Sequence, residues 1–197
     1  MSPVKADHLE QTLRAPAIIA GVGVHTGQRV RLAVRPAPTG TGIVFVRTDV
    51  TDRDNRIPVS GQAVVEARLN TMIENGAGVR LSTIEHLMAA FCALGISNAV
   101  VEVDGPELPI LDGSALPFVQ LLDRAGFRNQ AAPLRYIEIL APIEVTEGDK
   151  HARLLPCDRY EMRFEIDFDT PVIGNQVVDF VVDEATFRSD IMAARTF

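Results

Sequence analysis

The chain has 197 residues, 47% of them hydrophobic and 23% charged, with a net charge of −7. That length suits one large domain or two small ones, and the composition is that of a globular protein. The acidic balance excludes long-range attraction to nucleic acid or to an anionic membrane, while leaving room for a local basic pocket that takes a small anion. Cys92 and Cys157 make neither a disulfide framework nor a Cys-x-x-Cys motif, which fits a reducing, cytoplasmic compartment. Met1 to Arg14 are polar and lack the apolar core of a signal peptide. No stretch approaches the ~18 apolar residues of a membrane span.

Taken in order, the first half predicts strands and then two helices. Gln28 to Arg35 alternates with period two, as a half-buried strand does, and Pro36 and Pro38 end it. Gly42 to Thr48, Gly61 to Glu66 and Asn98 to Asp104 are further strand candidates. Gly21-Val22-Gly23-Val24-His25-Thr26-Gly27 is either a tight turn between strands or a loop that brings backbone close to a ligand. It lacks the Lys-Ser/Thr ending of a phosphate loop.

The first helix is expected from about Thr83 to Leu94, with Gly95 as its cap. Ile84, Leu87, Met88, Phe91 and Leu94 form an apolar stripe at helical spacing. His86, Ala89, Ala90 and Ala93 lie on the other side, where small residues admit a second covering element. The second helix follows Asp112-Gly113-Ser114, with Asp112 or Ser114 to cap it, Pro117 in its first turn and Gly126 at its end. Leu116, Val119, Leu121 and Leu122 supply its apolar face. Between the helices, Gly105 to Gly113 reads as a rigid loop.

Arg128 to Pro133 reads as a linker. Beyond it, strands are expected at Arg135 to Leu140, Ile143 to Thr146, Ala152 to Leu155, Glu161 to Phe168 and Val177 to Val182. Asp183-Glu184 begins a helix, its acids favourable to the dipole. The chain stops at Phe197 with no cap or polar tail, which reads as a cut. The second sheet should then leave Phe164, Ile166 and Phe168, or their neighbours on the other face, uncovered.

The chemistry centres on Glu85 and His86, adjacent in an alanine-rich apolar helix. A carboxylate that takes a proton beside an imidazole that binds a metal is the start of a hydrolase site. The plain alternative is a helix-surface carboxylate beside a satisfied core histidine, and spacing alone leaves both open. No second histidine stands at the zinc-protease spacing, and His8, His25 and His151 form no metal-ligand pair. Asp112 beside Gly113 reads as a turn and cap residue.

Gly21-Val22-Gly23-Val24-His25-Thr26-Gly27, Arg35-Pro36-Ala37-Pro38, Arg47-Thr48-Asp49, Ser82-Thr83-Ile84-Glu85-His86-Leu87, Pro109-Ile110-Leu111-Asp112-Gly113-Ser114-Ala115 and Ala194-Arg195-Thr196-Phe197 occur in this order. Together they make the chain resemble the UDP-3-O-acyl-N-acetylglucosamine deacetylases, zinc amidohydrolases of lipid A biosynthesis, from about Thr12 to the end. The resemblance implies an α+β fold of two-layer sheet-on-helix sandwich domains, 1–130 and 134–197, the second incomplete, with the active site between them. It implies zinc-dependent removal of acetate from a UDP-linked acyl-N-acetylglucosamine, in a cytoplasmic protein that is a monomer when complete.

Carried over by position, His86 matches a zinc ligand, Glu85 the general base and Thr196 the hydroxyl that stabilises the oxyanion. Phe197 matches a residue at the acyl and sugar region. Lys150, Asp167, Phe168 and Arg195 match positions near the UDP-sugar, and His25 a loop lining the cleft. Asn70 stands where some members have a cysteine near the acyl passage. The family's other two zinc ligands form a His-x3-Asp segment that follows the Arg-Thr-Phe segment, so only one of three expected ligands to Zn2+ is present here. The alternative function is a non-catalytic sugar-nucleotide-binding or interaction protein on the same fold.

Overall fold

The computed structural model describes residues 8–196. Phe197 lies outside the described residues. Strands β1 (Leu9–Leu13), β2 (Ala17–Val22), β3 (Arg29–Pro36), β4 (Ile43–Arg47) and β5 (Arg56–Pro58) come first. β6 (Val64–Val65), β7 (Met72–Glu74) and β8 (Arg80–Ser82) follow, then helix α1 (Glu85–Ala93), β9 (Ala99–Val103), helix α2 (Leu116–Ala125) and β10 (Phe127–Pro133). The remaining strands are β11 (Ile143–Glu147), β12 (Lys150–Leu154), β13 (Glu161–Phe168) and β14 (Gly174–Val181), before the short helix α3 (Glu184–Thr186). The fold is therefore mixed and rich in strands.

A five-stranded sheet runs in the order β2-β3-β9-β4-β5. Its pairs are antiparallel except β4 with β9, which the long crossover between them makes parallel. The period-two alternation seen in the sequence sends Val30, Leu32, Val34, Phe45, Val101 and Val103 into the core, while Arg29, Arg31 and Arg35 face water. Leu87 and Phe91 of α1 and Phe118 and Leu122 of α2 join the same buried cluster. Each such large side chain contributes about 1.5–3 kcal/mol by leaving water. A separate three-stranded sheet, β6-β7-β8, leads directly into α1.

The helix ends agree with their glycine signals. Gly95 has φ +69, its N–H donates to Cys92 O, and the Ile96 N–H donates to Phe91 O, a paired motif that satisfies the last carbonyls of α1. Gly126, at φ +70, ends α2. At the start of α2 the Ser114 hydroxyl accepts from Leu116 N–H at 3.2 Å, and Asp112 Oδ1 accepts from Ser114 N–H at 3.0 Å. Phe118 joins the predicted apolar face of that helix as a fully buried member.

Several expectations need correction. Helix α1 begins at Glu85 rather than Thr83, because Thr83 has φ +60, outside the helical region. Its small-residue side is only partly covered: Ala90 is buried and His86 and Ala93 are half-buried, but Ala89 is exposed. Gly61 to Glu66 is mostly a 3-10 turn, Gly61–Ala63, with two strand residues after it. Arg128 to Pro133 is no linker: it belongs to β10, which pairs antiparallel with β1 and buries Gln130. Arg135 to Leu140 forms no regular strand.

The second half is not one sheet but two separate two-stranded hairpins, β11-β12 and β13-β14. No residue from Ala131 to Thr186 is buried. Phe164 and Ile166 of β13 and Val178 of β14 are exposed, as expected for an uncovered face. Phe164 is paired with Val178, and its ring stacks on Phe180 at 6.4 Å between centroids. After α3 the chain makes a π turn, Phe187–Ile191, and Phe187 is buried again. Among the described residues no helix is long and apolar enough to cross a membrane.

Candidate functional site

The site is built where β8 ends. Ser82 N–H donates to Pro106 O at 3.0 Å, and Leu108 N–H donates back to Ser82 O at 3.1 Å, so the rigid loop 105–113 lies along the entry to α1. The same loop reaches the glycine-rich segment through Ile110 N–H to Val22 O at 3.0 Å. It reaches the last described residue through Thr196 N–H to Gly113 O at 3.0 Å. Four of the ordered motifs are thus joined by backbone hydrogen bonds: 21–27, 82–87, 109–115 and 194–196.

Glu107 binds this assembly from inside. Its side chain is 1% exposed, and no basic residue pairs with it among the described residues. Oε1 accepts from His25 N–H at 3.0 Å and from the Thr83 hydroxyl at 3.1 Å, and Oε2 accepts from Thr26 N–H at 2.8 Å. Burial opposes ionisation of this carboxyl, but the donors from His25, Thr26 and Thr83 outweigh burial and hold its pKa below the usual glutamate value. A Cβ on Gly23 would sit 2.3 Å from Oε2, and one on Gly21 would sit 2.8 Å from Pro109 Cβ. The two glycines make room for the protein's own loop, so the close approach read from the sequence is to Glu107 and Pro109.

Glu85 opens α1, where the helix N-terminus favours a carboxylate. It is half-buried, and Thr71 N–H donates to its Oε2 at 3.1 Å, which orients the carboxyl. His86 follows, also half-buried. Neighbours on a helix point about 100° apart, so the two groups can serve one volume from different sides. Asn70, beside Thr71, has a buried Oδ1 with no hydrogen-bond partner among the described residues. Among the described residues no group of three His, Cys, Asp or Glu side chains converges as a metal site needs.

The segment after β14 is latched onto α2. Arg188 donates to both oxygens of Asp123, at 2.8 and 2.7 Å, and to Glu184 at 2.8 Å. The hydrogen bond from Arg188 is the main reason the Asp123 carboxyl lies below its usual pKa. Buried Phe187 adds an apolar anchor. The chain then places Arg195 Nη2 4.0 Å from Asp112 Oδ2 and Thr196 on Gly113. Asp112 is held below its usual pKa: burial opposes this, but the Ser114 hydroxyl and N–H prevail. It is both the turn residue expected and the partner of Arg195.

The other expected site residues lie apart from this network. His25 is exposed but enters it through its backbone. Lys150 starts β12, with every residue of that strand exposed. Asp167 and Phe168 are neighbours on β13, so their side chains leave on opposite faces of the hairpin. Two surface depressions, one at Ala20, Val22, Arg29 and Asp104 and one at Gln11, Cys92 and Glu184, are lined by neither Glu85 nor His86.

Glu107 is the residue that sequence reasoning missed. Its signal was present in Gly105-Pro106-Glu107-Leu108-Pro109, a carboxylate between prolines in an apolar loop. Nothing local named its partners, which lie in the glycine-rich turn and before α1.

The profile of the family LpxC, UDP-3-O-acyl N-acetylglycosamine deacetylase, matches residues 10–197. The UDP-3-O-acyl-N-acetylglucosamine deacetylase of Phenylobacterium zucineum (strain HLK1) is 61% identical over 188 residues, covering 95% of this chain and 64% of that protein. Those of Shewanella sp. (strain ANA-3) and Shewanella frigidimarina (strain NCIMB 400) are 47% and 46% identical over 190 residues, covering 95% of this chain and 62% of theirs. The chain therefore spans less than two thirds of the length of these relatives. It belongs to the UDP-3-O-acyl N-acetylglycosamine deacetylase family.

Proposed function

We propose that the chain is the portion of a UDP-3-O-acyl-N-acetylglucosamine deacetylase that supplies the general base and one zinc ligand. The whole enzyme hydrolyses the acetamide of the UDP-linked sugar, releases acetate and acts in lipid A biosynthesis. The observation that carries this reading is the hydrogen-bonded convergence of the glycine-rich turn, the Glu85-His86 helix start, the Asp112-Gly113 turn and Thr196. Family membership supports it. In this reading the protein is cytoplasmic and monomeric when complete, with two sheet-on-helix sandwich domains, 1–130 and 134–197. The lack of buried residues from Ala131 to Thr186 supports a boundary, which the pairing of β10 with β1 puts after Pro133.

The described donors do not by themselves fit a catalytic zinc, which takes three protein ligands. The half-buried imidazole of His86 is the right type of donor for one of them, and the other two come from outside the described residues. Glu85, oriented by Thr71, takes the proton of the attacking water and passes it to the leaving amine. The Thr196 hydroxyl donates to the developing oxyanion, a role supported by its backbone tie to Gly113. Arg195, Lys150 and Asp167 contact the UDP-sugar, Phe168 and Phe197 its apolar parts, and His25 lines the cleft.

The test is zinc titration of the purified chain and of His86→Ala, with acetate release from the UDP-sugar measured on the same samples and on Glu85→Gln. Weak zinc binding that His86→Ala abolishes is expected. Any acetate release should be lost in Glu85→Gln while zinc binding persists. Zinc binding unchanged by His86→Ala would overturn the ligand assignment. Stoichiometric zinc with full turnover by the wild-type chain would overturn the ligand count.

A further inference from the structure

Two unusual features meet one step from the candidate catalytic pair. Glu107 is a carboxylate withdrawn from water with no cationic partner among the described residues, an arrangement that persists only when hydrogen bonds compensate. Thr83 is a β-branched residue at φ +60, a conformation that costs of order 1–3 kcal/mol and survives only where the surroundings impose it. What imposes it is visible. The Thr83 hydroxyl is bound to Glu107, the flanking Ser82 is held by Pro106 and Leu108, and Thr83 itself is buried. Two residues later comes Glu85, then His86.

The other side of the same carboxylate holds the backbone of His25 and Thr26, and Gly23 lacks a side chain where one would strike it. Among the described residues no other charged side chain bridges the turn and the residues before the helix, since Glu85 is held by Thr71 instead. We propose that Glu107 is the positioning residue of this site: its buried carboxylate ties the Gly23–Thr26 turn to Thr83 and thereby sets the pose of Glu85 and His86. It touches neither of the reacting groups. It acts through Thr83 on one side and through the His25 backbone on the other.

This inference rests on the deacetylase reading only in taking Glu85 and His86 as the groups being aimed, so its test needs no turnover. The experiment is backbone 15N relaxation on the 197-residue chain in wild-type, Glu107→Gln, Thr83→Val and Ile57→Val forms. Ile57→Val is a core change remote in sequence from both segments and serves as a stability control. In Glu107→Gln the order parameters of residues 23–27 and 83–86 should fall together, from about 0.85 to below about 0.6. In Thr83→Val, which cuts only one arm, the fall and the amide shift changes should be confined to residues 83–86. Ile57→Val should change neither segment. If Glu107→Gln does not fold, Thr83→Val decides alone. Unchanged order at 83–86 in Thr83→Val, or equal loosening in Ile57→Val, overturns the proposal. Zinc binding unchanged by His86→Ala, with the order parameters falling as expected, would count against the deacetylase reading and leave the positioning role standing.

Discussion

Replacing Glu107 by glutamine keeps the shape of the side chain and removes its charge, so the cost can be worked from contacts. The carboxylate accepts from His25 N–H at 3.0 Å, Thr83 hydroxyl at 3.1 Å and Thr26 N–H at 2.8 Å. Hydrogen bonds to a charged group contribute about 1.5–3 kcal/mol each, against about 1 kcal/mol for neutral pairs. With the amide oxygen at the Oε1 position, the His25 and Thr83 bonds survive in weaker form. The amide nitrogen then faces Thr26 N–H, donor against donor. Burying a neutral amide in place of a charge offsets part of the loss, leaving a net destabilisation of about 2–4 kcal/mol. Urea unfolding followed by circular dichroism, with unchanged m, measures it. The pH dependence supplies the sign. Because the folded pKa lies below the unfolded value of about 4.3, the stabilisation is complete above that pH and disappears as pH falls through the folded pKa. The gap between wild type and Glu107→Gln should therefore be constant between about pH 6 and 8 and shrink below about pH 4. A difference under about 0.5 kcal/mol at neutral pH, or a gap that widens in acid, would refute the reasoning.

Gly23→Ala pushes a Cβ to within 2.3 Å of a carboxylate oxygen that is already held by its donors, so a loss of about 1–3 kcal/mol is expected. Gly61→Ala meets nothing within 4 Å and should leave Tm almost unchanged, which makes the pair a differential scanning test. Arg188→Ala removes a two-pronged contact to Asp123 at a partly exposed position, worth only about 0.5–1 kcal/mol globally. Its larger effect should be faster tryptic cleavage at Arg195, and 1 M salt should have the same effect on wild type. The exposed Phe164, Ile166 and Val178 should make the chain self-associate or bind ANS; Phe164→Glu with Val178→Lys should reverse both in sedimentation and fluorescence.

The parts of this fold that could be read from sequence are those whose signal is local. Strand β3 alternates arginine with apolar residues, β4 and β9 are short runs rich in β-branched residues, and α1 and α2 carry glycines where they end. Strands β1 and β10 escaped notice because Gln11, Thr12, Arg128, Asn129 and Gln130 show no apolar period. Their stability comes from pairing with each other and from Asn98, which donates to Glu10 and Gln130 at 2.8 Å each. The hairpins β11-β12 and β13-β14 were legible as strands, yet alternation within a strand says nothing about which sheet it joins.

The same division holds at the site. Glu85 and His86 stood out because a carboxylate and an imidazole are conspicuous in an alanine-rich helix. Glu107 did not, although it is the more deeply buried of the two acids. The reason lies in how each is stabilised. Glu85 is half-buried at a helix start and needs only Thr71 and the helix dipole, both within reach of its own neighbourhood. Glu107 is tolerable only because backbone N–H groups some eighty residues earlier in the chain point at it, and because Gly23 leaves space for it. A side chain whose free energy depends on partners distant in sequence carries no local period or spacing. The glycine-rich turn was the trace it left: those glycines are shaped around a carboxylate of the protein itself, and the site is aimed by a contact that chemistry at Glu85 and His86 never touches directly.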